Sequence, residues 1–77
     1  MADIQSPVPG TFYQRPSPED AAFKSEGDAV AAGDTIGLVE VMKSFIEVQA
    51  EAAGTFAGYS VENEAAVSAG DVLATLK

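Results

Sequence analysis

Part of this chain is written twice. Val30-Ala31-Ala32-Gly33-Asp34-Thr35-Ile36-Gly37-Leu38 returns as Val67-Ser68-Ala69-Gly70-Asp71-Val72-Leu73-Ala74-Thr75, with Val, Ala, Gly and Asp coinciding at an offset of 37 residues. Gly10-Thr11-Phe12 returns as Gly54-Thr55-Phe56 at an offset of 44. Each half therefore reads Gly-Thr-Phe, a spacer, Val-x-Ala-Gly-Asp and an apolar run. A chain of 77 residues built this way is expected to form one domain, residues 1–77, from two similar halves around one core.

The two offsets differ by seven, so the first half carries about seven extra residues between its landmarks. These are placed in Arg15-Pro16-Ser17-Pro18-Glu19-Asp20-Ala21-Ala22, where two prolines and Ser17-Pro18 favour a turn over a strand. An insertion into one of two matching halves belongs on the surface. Gly33-Asp34 and Gly70-Asp71 precede apolar runs and supply the tight corner that glycine permits.

The middle of the chain is predicted to be a hairpin. Ile46-Glu47-Val48-Gln49-Ala50-Glu51 alternates apolar and polar, as a half-buried strand does, and Thr35 to Val41 is apolar and β-branched. A single helix over Leu38 to Ala53 competes, because Glu, Ala and Gln are good helix formers. Gly37 and the β-branched residues weaken it, and the counterpart run Leu73 to Leu76 stops one residue short of Lys77. Eight Val against three Leu also favour strands. The two-residue connection Met42-Lys43 then places Lys43 at the tip of the hairpin, where the halves join. The expected fold is all-β: a flattened antiparallel barrel or sandwich of two four-stranded sheets related by a pseudo-two-fold axis. Its predicted core is Phe12, Val30, Ile36, Leu38, Ile46, Val48, Phe56, Val67 and Leu73, with Phe45 also assigned to packing.

Composition narrows the chemistry. There is no Cys and no His, so zinc sites built on those residues, disulfides, and Ser–His or Cys–His nucleophiles are excluded. Four cations, Arg15, Lys24, Lys43 and Lys77, against twelve Asp/Glu give a net charge of −8 and no basic patch for nucleic acid. Glu19-Asp20 and Glu62/Glu64 lack the spacing of a calcium loop. No apolar run reaches the ~20 residues of a membrane span, and the first five residues do not make a signal peptide, so the cytoplasm is the expected location.

Glu40-Val41-Met42-Lys43, at a hairpin between similar halves, resembles the attachment site of biotinyl domains, whose usual pattern is Glu-Ala-Met-Lys-Met. Ser6-Pro7-Val8-Pro9-Gly10-Thr11-Phe12-Tyr13 is close to that family's Ser-Pro-Met-x-Gly-Thr-Phe-Tyr. The Pro16-Ser17-Pro18 insertion is similar to the protruding thumb of the bacterial biotin carriers of acetyl-CoA carboxylase; the thumb is expected over Arg15, Pro16, Ser17, Pro18, Glu19 and Asp20. Val8, Val41 and Ser44 depart from the pattern, while Met42 and Lys43 keep it. The long linker and N-terminal assembly segment of full-length carriers do not precede the resemblance, which suits either an excised domain or a stand-alone carrier.

The resemblance implies a non-catalytic carrier with biotin covalently held on Lys43. A lysine amine in water is almost wholly protonated at neutral pH, so a biotin protein ligase would activate the biotin carboxyl and take the proton. Biotin carboxylase would load the carboxyl group from bicarbonate, and a carboxyltransferase would pass it to acetyl-CoA for fatty acid biosynthesis. Glu40, Val41, Met42 and Ser44 would flank the site as recognition residues, with Glu40 helping to exclude the lipoyl ligase. The alternatives are the carrier of another biotin enzyme, a lipoyl-type carrier, and an unmodified interaction module. Lipoyl domains usually place Asp before and Ala after the acceptor, unlike Met42 and Ser44.

Overall fold

A computed structural model describes residues 2–77. The described residues form eight strands and no helix: β1 (Ala2–Gln5), β2 (Gly10–Tyr13), β3 (Ala29–Val30), β4 (Thr35–Val41), β5 (Ser44–Gln49), β6 (Gly54–Tyr59), β7 (Ala65–Val67) and β8 (Val72–Leu76). They make two four-stranded sheets, β1-β8-β6-β3 and β5-β4-β2-β7, with every pairing antiparallel. Exchanging β1 for β5, β8 for β4, β6 for β2 and β3 for β7 turns one order into the other. Each half of the chain gives two strands to each sheet, so the repeat relates one sheet to the other, and the all-β architecture expected from it is the one observed.

The equivalence extends to single residues in the core. Phe12 and Phe56, Val30 and Val67, Ile36 and Leu73, and Val39 and Leu76 are buried pairs. It also reaches a region where the sequence shows no repeat. The backbone of Ala50 exchanges hydrogen bonds with Asp34 and Gly33, and that of Ser6 does so with Asp71 and Gly70. The buried Ser6 side chain is satisfied by its hydroxyl, which donates to the carbonyl of Val8 at 2.6 Å.

Leu38 and Ile46 are corrections to the predicted core. The pairing register of β4 with β5 shifts between Thr35 and Gly37, so Ile36 and Gly37 are both buried and the alternation changes phase. Val39 points inward, and Leu38 turns to the outer face. Ile46 lies on the inner face opposite Val39, but β5 is an edge strand and leaves it 36% exposed. Ile4, Val39, Ala50, Ala74 and Leu76 complete the core. Gly37 accommodates the bulge: a methyl group there would meet the Phe12 ring, whose Cζ would lie 2.6 Å away.

Three turns share one design, in which an aspartate closes on the residue three positions earlier. Ser25, Ala31 and Ser68 each donate an amide to the carboxylate of Asp28, Asp34 and Asp71, at 2.8, 2.9 and 2.8 Å. Each aspartate amide returns a bond to the same residue's carbonyl. The glycine before each aspartate has φ of 95°, 93° and 89°, which only glycine adopts freely. Asp34 also meets the Lys24 ammonium at 3.3 Å. The Ala31 amide and then Lys24 hold the Asp34 carboxyl below its ordinary value of 3.8. A carboxyl depressed in the folded state adds stability above its unfolded pKa and loses it as pH falls through the folded one. Asp34→Asn is therefore expected to flatten the loss of stability below about pH 4, read as urea midpoints across an acid series.

Candidate functional site

The β4–β5 hairpin closes between Val41 and Ser44, leaving Met42 and Lys43 as a two-residue connection. Their φ angles are 50° and 68°, the left-handed pair of a type I′ turn. That turn matches the twist of the strands, but Asn-Gly is the sequence that adopts it cheaply. Two side-chain-bearing residues there cost about 1–2 kcal/mol each. The fold recovers nothing from these side chains: Met42 is 94% exposed, and Lys43 is exposed and makes no ion pair with any described residue. The strained tip is thus kept for something other than packing. Met42→Asn is expected to raise stability by about 0.5–1 kcal/mol in urea denaturation, because Asn tolerates this conformation.

Below the tip the strands present two faces. Val41 is half-buried against the core, and Ser44, opposite it, is exposed. Glu40 and Phe45 form the next pair, on the outer face of the sheet with Tyr13 and Leu38. The Tyr13 hydroxyl donates to Glu40 Oε1 at 2.9 Å, and the Tyr13 and Phe45 rings lie 6.0 Å apart at 57°. This bond to Glu40, its largest cause, raises the Tyr13 pKa. Phe45 is 58% exposed, which corrects its assignment to packing. Tyr13 and Phe45 are the site residues not singled out from the sequence. The alternation would have found both: Tyr13 follows the inward Phe12, and Phe45 shares the phase of Glu47 and Gln49.

The Arg15–Ala22 segment leaves the sheet after β2. Its base is closed by the Phe23 amide on the Gln14 carbonyl at 2.8 Å. Gln14 is anchored in turn, its amide on Asn63 Oδ1 at 2.7 Å and its Nε2 on the Val61 carbonyl at 2.8 Å. Tyr59 braces the same place by donating to the Ile36 carbonyl at 2.8 Å, and burial raises its pKa. At the apex Ser17 donates to Asp20 at 2.8 Å, and Pro16, Pro18, Glu19 and Asp20 are exposed. A groove of about 310 Å³ separates Arg15, Pro16, Ser17 and Pro18 from Tyr13, Leu38 and Phe45. Arg15 Nε is buried there without a hydrogen-bond partner. Glu19 and Asp20 do not line the groove.

No group of metal-ligating side chains occurs among the described residues, and they include no helix long and apolar enough to cross a membrane. The arrangement offers one exposed primary amine on a strained tip and a largely apolar groove on the same sheet. It suits covalent attachment of a group by another protein.

Residues 2–76 match the family described as biotin-requiring enzyme. The chain is 36% identical over 63 residues to the biotin carboxyl carrier protein of acetyl-CoA carboxylase from Nostoc sp., covering 82% of this chain and 35% of that protein. It is 42% identical over 60 residues to the protein so named from Pseudomonas aeruginosa, covering 78% of this chain and 38% of the relative. The chain thus spans little more than a third of these relatives. Among solved structures, the Kluyveromyces lactis urea carboxylase superposes with a TM-score of 0.80 at 29% identity, covering 99% of this chain and 6% of that one.

Proposed function

The chain belongs to the biotin-requiring enzyme family, and we propose that it is a biotin carboxyl carrier domain with biotin joined to Lys43 through an amide, working in acetyl-CoA carboxylase. The observation that carries this is the exposed Lys43 amine at a two-residue turn whose strain benefits no packing. The named carriers from Nostoc sp. and Pseudomonas aeruginosa support the choice of carboxylase.

The residues fit the group. Lys43 projects from the tip without an ion pair to break among the described residues, and its stem of four methylenes gives reach. Biotin, when bound, carries a carboxyl group between two active sites. The protein's own part is position. The paired strands hold the tip away from the core, and tethering replaces free diffusion with a high local concentration at each partner. Amide formation removes the Lys43 charge and takes the net charge from −8 to −9. Met42, Glu40, Val41 and Ser44 are the residues a biotin protein ligase meets around the amine. Arg15, Pro16, Ser17, Pro18, Glu19 and Asp20 form the thumb. Biotin carboxylase and carboxyltransferase are the two partners served, and the cytoplasm is the compartment where they work together.

The carrier role is tested by loading. The biotinylated domain, incubated with biotin carboxylase, ATP and labelled bicarbonate, is expected to gain acid-labile label on the protein. A biotinylated domain that takes no label while free biotin does would contradict the role.

A further inference from the structure

We infer that Met42 is a redox modification site: oxidation of its thioether by a peroxide slows attachment at Lys43, and reduction restores it. The inference rests on Lys43 as the acceptor. Its grounds are the exposure and the position of this one side chain. Met42 is 94% exposed and is absent from the buried core and from the apolar residues packed on it. The other two exposed large hydrophobics of the described chain, Phe45 at 58% and Ile46 at 36%, are less exposed and lie on opposite faces of β5, so Met42 is the apolar side chain that stands at the tip beside Lys43. An enzyme that closes over the Lys43 amine covers the adjoining thioether as well.

The chemistry balances without a further reagent. A sulfur lone pair attacks one peroxide oxygen, the S–O bond forms and the O–O bond breaks. The second oxygen leaves as water after proton transfer, with Met42 oxidised by two electrons and the peroxide reduced. The sulfoxide is polar and chiral, and thiol-dependent methionine sulfoxide reductases reverse it. Because Met42 already stands in water, the change costs the fold nothing. It falls on any partner that buries the side chain, where loss of the apolar contact lowers the attachment rate about tenfold or more. Of the two methionines in the chain, the other is Met1, at the far end of the sequence.

The test treats the chain with hydrogen peroxide, maps the added oxygen to Met42 by peptide mass, and measures the rate of biotin incorporation by biotin protein ligase. The expected result is an unchanged circular dichroism spectrum, a rate lower by about tenfold or more, and recovery after methionine sulfoxide reductase. Met42→Leu keeps Met1, and its oxidised and reduced forms are expected to share one rate, whatever that rate is. Equal rates for the oxidised and reduced wild type overturn the inference, as does a Met42→Leu variant slowed equally by peroxide. Reduced wild type that takes no biotin brings down the acceptor assignment, and this inference with it. Biotin incorporation that is normal when reduced and insensitive to oxidation removes only the redox role.

Discussion

Phe12→Ala is expected to remove a large part of the domain's stability. Phe12 is fully buried at the centre of β2, its ring 5.9 Å from that of Tyr59 and filling the space beside the bare α-carbon of Gly37. Truncating a buried Phe costs about 3–5 kcal/mol, through lost burial and the cavity left behind. A domain of 77 residues has only about 4–12 kcal/mol in total. There is no disulfide to limit the unfolded state, since the chain has no cysteine. The loss also falls where both halves meet, because the Tyr59 ring contacts Phe12 and Phe56 at once. Loss of the cooperative urea transition, or a steep fall of its midpoint, is the expected reading. Phe45→Ala, on the exposed outer face, is expected to move the midpoint by the equivalent of no more than about 0.5 kcal/mol of stability. A Phe12→Ala midpoint within that smaller range would mean that the core is not organised around this ring.

The repeat made the architecture legible, because Gly-Thr-Phe and Val-x-Ala-Gly-Asp mark equivalent strands and corners in both sheets. The β4–β5 hairpin was legible through the alternation after Lys43 and the β-branched run before it. The bulge was not, because a run of apolar residues does not say where its phase slips. Leu38 shows the consequence: apolarity put it in the core, and the bulge put it on the outer face. The signal lay in the repeat itself, where the residue equivalent to Leu38 is Thr75, and a polar counterpart marks an outward position. The β1–β5 equivalence was illegible for another reason. Ile4-Gln5-Ser6 and Val48-Gln49-Ala50 share burial and backbone hydrogen bonds but only one residue type. The groove depends on how the Arg15–Ala22 segment folds back over Tyr13, Leu38 and Phe45, a long-range placement that no local pattern encodes.

Replacing Lys43 is expected to have the second large effect, on modification and not on stability. The amine forms no ion pair with any described residue, so Lys43→Ala and Lys43→Arg are expected to unfold as the wild type does, within about 0.5 kcal/mol. Neither can form the amide. Alanine has no nucleophile, and the arginine guanidinium keeps the charge but is not deprotonated in proteins. Arg is the sharper variant, because it preserves the electrostatics of the tip while removing the chemistry. Lys24 and Lys77 remain in both variants as internal controls for unselective acylation.

The most direct measurement is the intact mass of the chain after incubation with biotin protein ligase, biotin and ATP, run in parallel on wild type and Lys43→Arg. A single biotin adduct on the wild type, mapped to Lys43 and absent from the variant, is the predicted result. An unmodified wild type, a lipoyl adduct formed under matched lipoylation conditions instead, or a biotin adduct that survives in Lys43→Arg would contradict it.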